Sequence, residues 1–223
     1  METVLLFGGG NQASYCIDIV EKEGRYRIAG VVDSLKEVGS IVCGYPVVGR
    51  QEQVKQLALS HGAQAGIITI GDNWSRSSVY DCVKETAPEF RFVNAIHPTV
   101  TIGKDVEIGF GVVAMAGCII NPGCRVGNFC FFATGAQLEH DCRMGDFSSI
   151  SAGVVTGGRV SIGRYSAITL GVTIMDRLTI GENTVVGSGS LVTRDLPDNV
   201  LAYGSPARIV RERKPGERFL RSN

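Results

Sequence analysis

The chain has 223 residues, of which 44% are apolar and 20% charged, and its formal net charge is zero. This composition is typical of a globular protein with one large core or two small ones. The neutral charge gives no electrostatic case for binding nucleic acid or an anionic membrane. Because no run of about 18 apolar residues is present and METVLLFGGGNQ lacks the features of a signal peptide, we expect a cytoplasmic location.

Residues 1–94 are predicted to alternate short apolar strands with helices. The segments TVLLFG, YRIAGVVD, QAGIITIGD and FRFVNA are predicted as strands. Helices are predicted from about Gln12 to Lys22, over RQEQVKQLALSHG with a stop near Gly62, and over SRSSVYDCVKET with Ser75 as the candidate cap. Alternating strands and helices indicate an α/β domain, in which helices cover a parallel sheet.

The first strand runs into a glycine-rich loop. Gly8, Gly10 and Ala13 form a GxGxxA pattern between a strand and a helix, and Asp33 ends the next strand. Such a loop lets phosphate approach the backbone at a helix N-terminus, which is the dinucleotide-binding fingerprint. Because the α/β segment is only about one mononucleotide-binding half, a nucleotide diphosphate is favoured over NAD. A glycine turn that binds nothing is the remaining alternative.

After Ala95 the sequence repeats every six residues, in an unbroken register from Ile96 to Pro197. The first position of each hexad is almost always apolar, the second is glycine in eight of seventeen hexads, and the fifth is mostly small or β-branched. A strict short repeat of this kind indicates a solenoid. We predict an all-β parallel β-helix with three hexads per coil, in which the first and fifth positions point inward. The second-position glycines are expected to supply the backbone angles of the corners.

The seven cysteines give no sign of disulfides or zinc, because the count is odd and no CxxC occurs. Cys118, Cys124, Cys130 and Cys142 all occupy the fifth position of a hexad. They are therefore predicted to be small buried apolar residues of the β-helix.

His140 and Asp141 occupy the third and fourth positions of the hexad LEHDCR, which are outward positions. A histidine can accept the proton of an attacking nucleophile, and a carboxylate on its other ring nitrogen would fix the tautomer. The same positions of other hexads carry ordinary polar surface residues, so the register alone does not separate an active site from solvated surface. Glu139 and Asp146 are rivals for the orienting carboxylate.

The hexad register resembles that of the hexapeptide-repeat acyltransferases, which fold as left-handed parallel β-helices. A Rossmann-like domain leading into a β-helix that contains LEHDC is similar to the bacterial nucleotide-sugar N-acetyltransferases and sialic acid O-acetyltransferases. VVD, IGDN, NAIHP and GSPAR add to this resemblance. It implies a homotrimer that moves acetyl from acetyl-CoA to the amino group of a nucleotide-linked sugar, expected to be a 4-amino-4,6-dideoxy sugar. Sialic acid O-acetylation, a non-catalytic scaffold and an NAD-binding protein are the alternatives.

The resemblance also implies the roles of individual residues. His140 corresponds to the general base and Asp141 to the acid that orients it, and no metal is expected. The nucleotide would lie in the first domain, against Gly8, Gly9, Gly10, Asn11, Gln12, Asp33, Asn73 and Arg76. Acetyl-CoA would lie between neighbouring subunits, against Ser149, Gly158, Asp176, Gly187 and Gly189.

The chain departs from the family pattern at two places. Asn11–Gln12 stands where the family commonly has Gly-His, and Ala133–Thr134 stands where it often has Asn-Thr. No long insertion interrupts residues 96–197, so the acceptor must be held largely by the first domain and should carry a nucleotide.

Three segments are therefore predicted: a Rossmann-like domain over 1–94, a left-handed β-helix over 95–207 and a C-terminal tail over 208–223. The tail is basic and could contact the phosphates of CoA, although a solvated terminal segment is the favoured interpretation. His61 and His97 are expected to have structural or surface roles.

Overall fold

A computed structural model of the chain describes residues 1–220. The chain forms two compact units, the first over Met1–Pro98 and the second from Thr99 onward. Among residues 1–220, no helix has the length and apolar character to cross a membrane. The last three residues of the predicted tail lie outside the described residues.

The first unit is a sheet with helices, as predicted. Its strands are β1 (Glu2–Phe7), β2 (Tyr26–Val32), β3 (Ile41–Val42), β4 (Tyr45–Gly49), β5 (Ala65–Ile68), β6 (Arg91–Phe92) and β7 (Ala95–Ile96). Its helices are α1 (Asn11–Glu23), a 3-10 turn (Gln51–Gln53), α2 (Val54–His61) and α3 (Asn73–Thr86). The sheet has the order β3-β4-β2-β1-β5-β6, and only β3 runs antiparallel to its neighbour.

Two details of this unit differ from the sequence prediction. The antiparallel pair of β3 and β4 was not predicted, since β3 has two residues and β4 contains Pro46, so neither gives a clear periodic signal. The cap of α3 is Asp72 rather than Ser75: the Asp72 carboxylate accepts from the Ser75 N–H at 2.9 Å and from its hydroxyl at 2.8 Å. The predicted stop of α2 is confirmed, because Gly62 follows it in the left-handed conformation.

The second unit is the predicted parallel β-helix. Its two-residue strands are β8 (Thr101–Ile102), β9 (Glu107–Ile108), β10 (Val113–Ala114), β11 (Ile119–Ile120), β12 (Arg125–Val126), β13 (Phe131–Phe132), β14 (Gln137–Leu138), β15 (Arg143–Met144), β16 (Ser149–Ile150), β17 (Val155–Thr156), β18 (Ser161–Ile162), β19 (Ala167–Ile168), β20 (Thr173–Ile174), β21 (Thr179–Ile180), β22 (Val185–Val186) and β23 (Leu191–Val192). Every third strand pairs in parallel, so a residue lies beside the residue eighteen positions later, as in the pairing of β12 with β15. Three hexads per coil are thereby confirmed.

The inward positions are those that the repeat predicted. Leu138 in the first position and Cys142 in the fifth are both fully buried, and the other three fifth-position cysteines are buried as well. All seven cysteines are free thiols. Small fifth-position side chains let successive coils stack at the spacing of paired strands, about 4.8 Å.

The prediction for the corner glycines is wrong in its mechanism. The left-handed corner residues stand in the fourth position of the hexad, among them Phe129, Asp141 and Tyr165, with φ between 54° and 59°. Second-position glycines instead make room for the next coil: a Cβ on Gly163 would lie 2.5 Å from the backbone nitrogen of Glu182. These glycines are required by close packing between coils and not by backbone angles.

The C-terminal segment is folded as far as residue 220, and most of its side chains are exposed, as expected for a solvated segment. Strand β25 (Ala207–Glu212) pairs antiparallel with β24 (Val200–Gly204), which extends one sheet of the β-helix. Arg213 is buried; its Nε donates to the Asn183 carbonyl at 3.2 Å, and its Nη1 donates to Glu217 at 3.3 Å. The segment therefore closes the end of the coil stack.

Candidate active site

His140 and Asp141 form a hydrogen-bonded pair at the corner between β14 and β15. His140 Nδ1 lies 3.0 Å from Asp141 Oδ2, and the two side chains are 49% and 52% exposed. Within residues 1–220, His140 Nε2 has no hydrogen-bond partner. The geometry fits an imidazole whose Nδ1–H donates to the carboxylate, which leaves Nε2 to accept a proton from solvent or a ligand.

Glycines on the neighbouring coils make room for both side chains. A Cβ on Gly158, one coil later, would collide with His140 Nε2 and lie 2.6 Å from Cε1. A Cβ on Gly123, one coil earlier, would lie 2.6 Å from Asp141 Oδ1. The imidazole and the carboxylate are therefore each placed against bare backbone.

The charge of Asp141 is stabilised by its neighbours. The hydrogen bond from His140, together with the charges of His140 and Arg159, holds the pKa of this carboxyl below its usual range. Arg159 Nε lies 3.7 Å from Asp141 Oδ2. Asp141 is therefore ionised at neutral pH and able to balance a positive charge on the imidazole.

The rival carboxylates do not reach the histidine. Asp146 accepts from the backbone N–H of Asn128 at 2.8 Å, at a different corner. Among the described residues, Asp141 is the only carboxylate within 4 Å of a His140 ring nitrogen. Sequence reasoning did not identify Arg159, although the eighteen-residue step that leads from His140 to Gly158 also leads from Asp141 to Arg159.

The glycine-rich loop of the first unit lies at the N-terminus of α1, as predicted. Gly8 has φ of 114°, and a Cβ there would lie 2.7 Å from Ile70 Cγ1. Gly10 is the N-cap residue of α1, which has no acidic residue in its first turn and no side-chain cap. An uncapped helix N-terminus behind glycines favours an anionic ligand.

Asp33, a predicted nucleotide contact, accepts hydrogen bonds from three backbone N–H groups near the glycine-rich loop. Asp33 Oδ2 accepts from the Gly9 N–H at 2.6 Å, and its Oδ1 accepts from the N–H groups of Leu35 and Lys36. Partial burial raises the pKa of Asp33, but these backbone hydrogen bonds outweigh it and hold the pKa below its usual range. The carboxylate thus ties the β2 loop to the glycine-rich loop, and it brings the Lys36 side chain against Gly9.

The other predicted nucleotide contacts divide into surface and interior residues. Asn11 is exposed in the first turn of α1, whereas Gln12 Oε1 is buried and has no partner among residues 1–220. Arg76 is 1% exposed and donates to the carbonyls of Ile70 and Gly71 and to Asn73 Oδ1. Asn73 and Arg76 are therefore placed to shape the loop after β5 from within.

The predicted acetyl-CoA contacts lie on different sides of the β-helix. Gly158 and Asp176 follow His140 at one corner, and Asp176 is exposed beside Arg177. Ser149 is buried, and its Oγ has no partner within residues 1–220. A Cβ on Gly187 would lie 2.7 Å from Tyr203 Cβ.

Gly189 belongs to a column of glycines at another corner. The column consists of Gly117, Gly135, Gly153, Gly171 and Gly189, all with left-handed φ. No side-chain atom lies within 4 Å of the position that a Cβ would take at any of the five. The column is a strip of backbone that no side chain covers. No group of acidic, histidine or cysteine residues among residues 1–220 is arranged to hold a metal ion.

Comparison with known proteins decides the family. A model of the PglD N-terminal domain matches residues 3–83. GDP-perosamine N-acetyltransferase from Caulobacter crescentus, solved as a histidine-to-alanine mutant with CoA and GDP-perosamine, is 33% identical; the match covers 95% of this chain and 98% of that one, with a TM-score of 0.87. The chain belongs to the nucleotide-sugar N-acetyltransferase family with the hexapeptide-repeat fold. The predicted family, the Rossmann-like first domain and the left-handed β-helix are thereby confirmed.

A second family member extends the comparison. The acetyltransferase domain of PglB from Neisseria gonorrhoeae, solved with acetyl coenzyme A, is 25% identical; the match covers 94% of this chain and 99% of that one, with a TM-score of 0.85. The hexapeptide fold and the α/β unit are thus shared over nearly the whole chain.

Curated sequences match only over short stretches. The match to galactoside O-acetyltransferase from Lactococcus lactis is 57% identical over 30 residues and spans 14% of that protein's length. The match to dTDP-3-amino-3,6-dideoxy-alpha-D-galactopyranose 3-N-acetyltransferase from Aneurinibacillus thermoaerophilus is 72% identical over 25 residues and spans 13% of its length.

Proposed function

We propose that the protein transfers the acetyl group of acetyl-CoA to the amino group of a nucleotide-linked amino sugar, with His140 as the general base and Asp141 as the residue that orients it. The observation that carries this proposal is the 3.0 Å pair of His140 Nδ1 with Asp141 Oδ2, which leaves Nε2 open to a ligand. Family membership supplies the reaction, and this pair supplies a base of the right chemistry.

Acetyl-CoA supplies the acetyl group, and the protein's own residues carry out the proton transfer. His140 Nε2 accepts the proton that the sugar nitrogen loses as its bond to the acetyl carbon forms. The C–S bond of the thioester breaks, and the imidazolium returns the proton to the departing CoA thiolate. Asp141 accepts the Nδ1–H hydrogen bond, which fixes the tautomer and balances the charge of the imidazolium. Gly158 leaves room for the ring, and the bare backbone beside it would let the thioester approach the imidazole.

GDP-perosamine is the acceptor that we propose to test first. The relative that acts on it is similar over the first unit as well as the β-helix. The glycine-rich loop and the uncapped N-terminus of α1 suit a diphosphate. We propose that the acetylated group is a 4-amino group of the sugar. The proposal also includes the nucleotide contacts predicted above and a cytoplasmic location.

We also infer that the working enzyme is a homotrimer. The predicted acetyl-CoA contacts at the His140 corner and at the glycine column lie on different sides of one β-helix, so a site that uses both needs two copies. Three exposed apolar residues lie on or beside the paired strands β17 and β20 and are named the apolar patch: Val155, Leu170 and Met175, of which the latter two are 58% and 50% exposed. A patch of this kind is typical of a subunit interface.

A substrate panel tests the proposed reaction. Release of free CoA is measured from acetyl-CoA with GDP-perosamine, with dTDP-, UDP- and GDP-linked amino sugars, and with free sialic acid. We expect release with at least one nucleotide amino sugar, and none with the same nucleotide sugar that carries a hydroxyl in place of the amine. Release with sialic acid alone would replace the proposal with O-acetylation.

A further inference from the structure

Arg159 lies beside the His140–Asp141 pair. It stands one coil after Asp141, and its backbone N–H donates to the His140 carbonyl at 2.9 Å. Its Nε lies 3.7 Å from Asp141 Oδ2, the same oxygen that pairs with His140 Nδ1. One carboxylate oxygen therefore faces two positive partners whenever the imidazole is protonated.

We propose that Arg159 is a positioning residue, whose guanidinium shares the Asp141 carboxylate with His140 and thereby limits how strongly that carboxylate favours the protonated imidazole. The proposal rests on the proposed role of His140 as the base. Arg159 acts through Asp141 and is not required to touch either substrate.

The other charged groups at this corner do not provide the same contact. The coil before the pair presents Pro122–Gly123, which carries no charge, and the coil before that presents Lys104 and Asp105. Two coils after the pair, Asp176 and Arg177 face each other at 3.7 Å. Glu139 precedes His140, and its carbonyl accepts from the buried Cys124 thiol. Among residues 1–220, Arg159 is the one lysine or arginine within 4 Å of Asp141.

The sign of the effect follows from the charges. With Arg159 present, part of the negative potential of Asp141 is offset, so the imidazolium is stabilised less and the base is free at lower pH. Without Arg159 the imidazolium gains stability, and a higher pH is needed to free the base. For partly exposed charges at this distance, we expect a displacement of about half a pH unit at low salt.

Arg177 offers a matched control. It occupies the same hexad position one coil later, and both residues have φ of 60°. Glycine adopts this backbone conformation without strain. Arg159→Gly and Arg177→Gly therefore each remove one guanidinium group without straining the backbone of the corner. Arg159→Lys keeps a positive charge at the site.

The experiment is the pH profile of kcat/KM for the amino sugar at saturating acetyl-CoA, in low salt. We expect the acid limb of the Arg159→Gly profile to lie about half a pH unit above that of the wild type. The acid limbs of Arg177→Gly and Arg159→Lys should lie within about a tenth of a pH unit of the wild-type limb. In an Asp141→Asn background, removal of Arg159 should displace the limb by less than half as much. An unmoved limb in Arg159→Gly, or an equal displacement in both backgrounds, would overturn the proposal.

His140→Ala separates this proposal from the one on which it rests. If His140→Ala keeps near-normal turnover, the proposed function of His140 fails. If His140→Ala is inactive and the Arg159→Gly profile is unchanged, only the role of Arg159 fails.

Discussion

At the scale of single residues, the candidate site depends on two glycines, which leave space for the side chains of His140 and Asp141. Gly158 and Gly123 lie on the coils on either side of the His140–Asp141 pair, and a methyl group on either would strike the imidazole or the carboxylate. Preorganised placement of a base is worth a large part of its catalytic effect. Gly158 should therefore matter for turnover more than for stability, whereas Gly123, with φ of 74°, is also required by the backbone of its corner.

Gly158→Ala should displace the imidazole and lower kcat by about tenfold to a hundredfold. Gly158 does not have a left-handed φ, so alanine is compatible with its backbone. Steady-state kinetics together with the thermal midpoint check this, with a change of less than about 3 °C expected in the midpoint. A wild-type kcat in this variant would show that the ring is placed by something other than Gly158.

Asp141→Asn tests the orienting carboxylate. Asparagine keeps the shape and tolerates the left-handed backbone of this residue, whose φ is 58°. Removal of the negative charge disfavours the imidazolium, so we expect kcat to fall by about tenfold or more and the acid limb of the pH profile to move to lower pH. A limb that moves to higher pH would contradict the contact between Asp141 and His140.

At the scale of elements, the β-helix uses glycine for two separate purposes. In the glycine column, the fourth-position glycines have φ from 63° to 72° and open space where a Cβ would stand. The second-position glycines have ordinary φ and no such space. The hexad pattern shows where glycine recurs, but it does not tell a backbone requirement from a packing requirement.

A pair of substitutions separates the two purposes. Gly163→Ala should lower the free energy of unfolding by about 1–3 kcal/mol, because its Cβ would meet the backbone of Glu182. Gly135→Asn should cost less than about 1 kcal/mol, since asparagine tolerates a φ of 68° and no atom lies within 4 Å of its Cβ. Denaturant unfolding measures both, and the reverse order of costs would contradict this account of the corners.

The C-terminal segment contains a cluster of ionic contacts, in which Glu217 pairs with Arg211 and Arg213. We name this cluster the clasp, and its contribution to stability should depend on pH. The hydrogen bond from Arg211, the Lys214 N–H and the charges of Arg213 and Arg211 lower the pKa of Glu217 to about 2. Because this pKa lies below the ordinary value of 4.5, the stabilisation is complete above about pH 4.5 and is lost as the pH falls towards 2.

Glu217→Gln should therefore lower the thermal midpoint at pH 7 by about 3 °C and weaken its fall between pH 4.5 and 2. Glu212→Gln is the matched control, because Glu212 offers Arg211 only its backbone carbonyl. Scanning calorimetry over that pH range makes the measurement. Equal midpoints of Glu217→Gln and the wild type at pH 7 would exclude a stabilising clasp.

At the scale of the whole molecule, the repeat predicted most of the fold. Its register identified the first- and fifth-position residues that stack in the core, because a period of eighteen residues leaves little freedom in which side chains stack. It did not identify the buried sixth-position residues of one sheet, such as Phe131 and Ser149, or the exposure of Ile102 in the first coil. Strand β4 and the clasp were missed, since their sequences are short or charged and their partners lie far along the chain. The contact of His140 with Asp141 was not predictable from the register alone, because outward positions of every hexad are polar.

The inferred trimer makes its own prediction. Leu170→Asp with Met175→Asp should give a monomer and abolish most turnover, because charges would be buried in the interface. Light scattering coupled to size exclusion reports the mass. Leu59→Asp, at an exposed leucine of the first unit, should leave the trimer intact. A trimeric double variant would move the interface away from this patch.

The central claim is that His140 is the base of an acetyl transfer to a nucleotide-linked amine. Its most direct test is the turnover of His140→Asn with acetyl-CoA and the best sugar of the panel, alongside calorimetric binding of both substrates. The account predicts a loss of at least about a hundredfold in kcat with both affinities retained. Turnover within a few-fold of the wild type would contradict it.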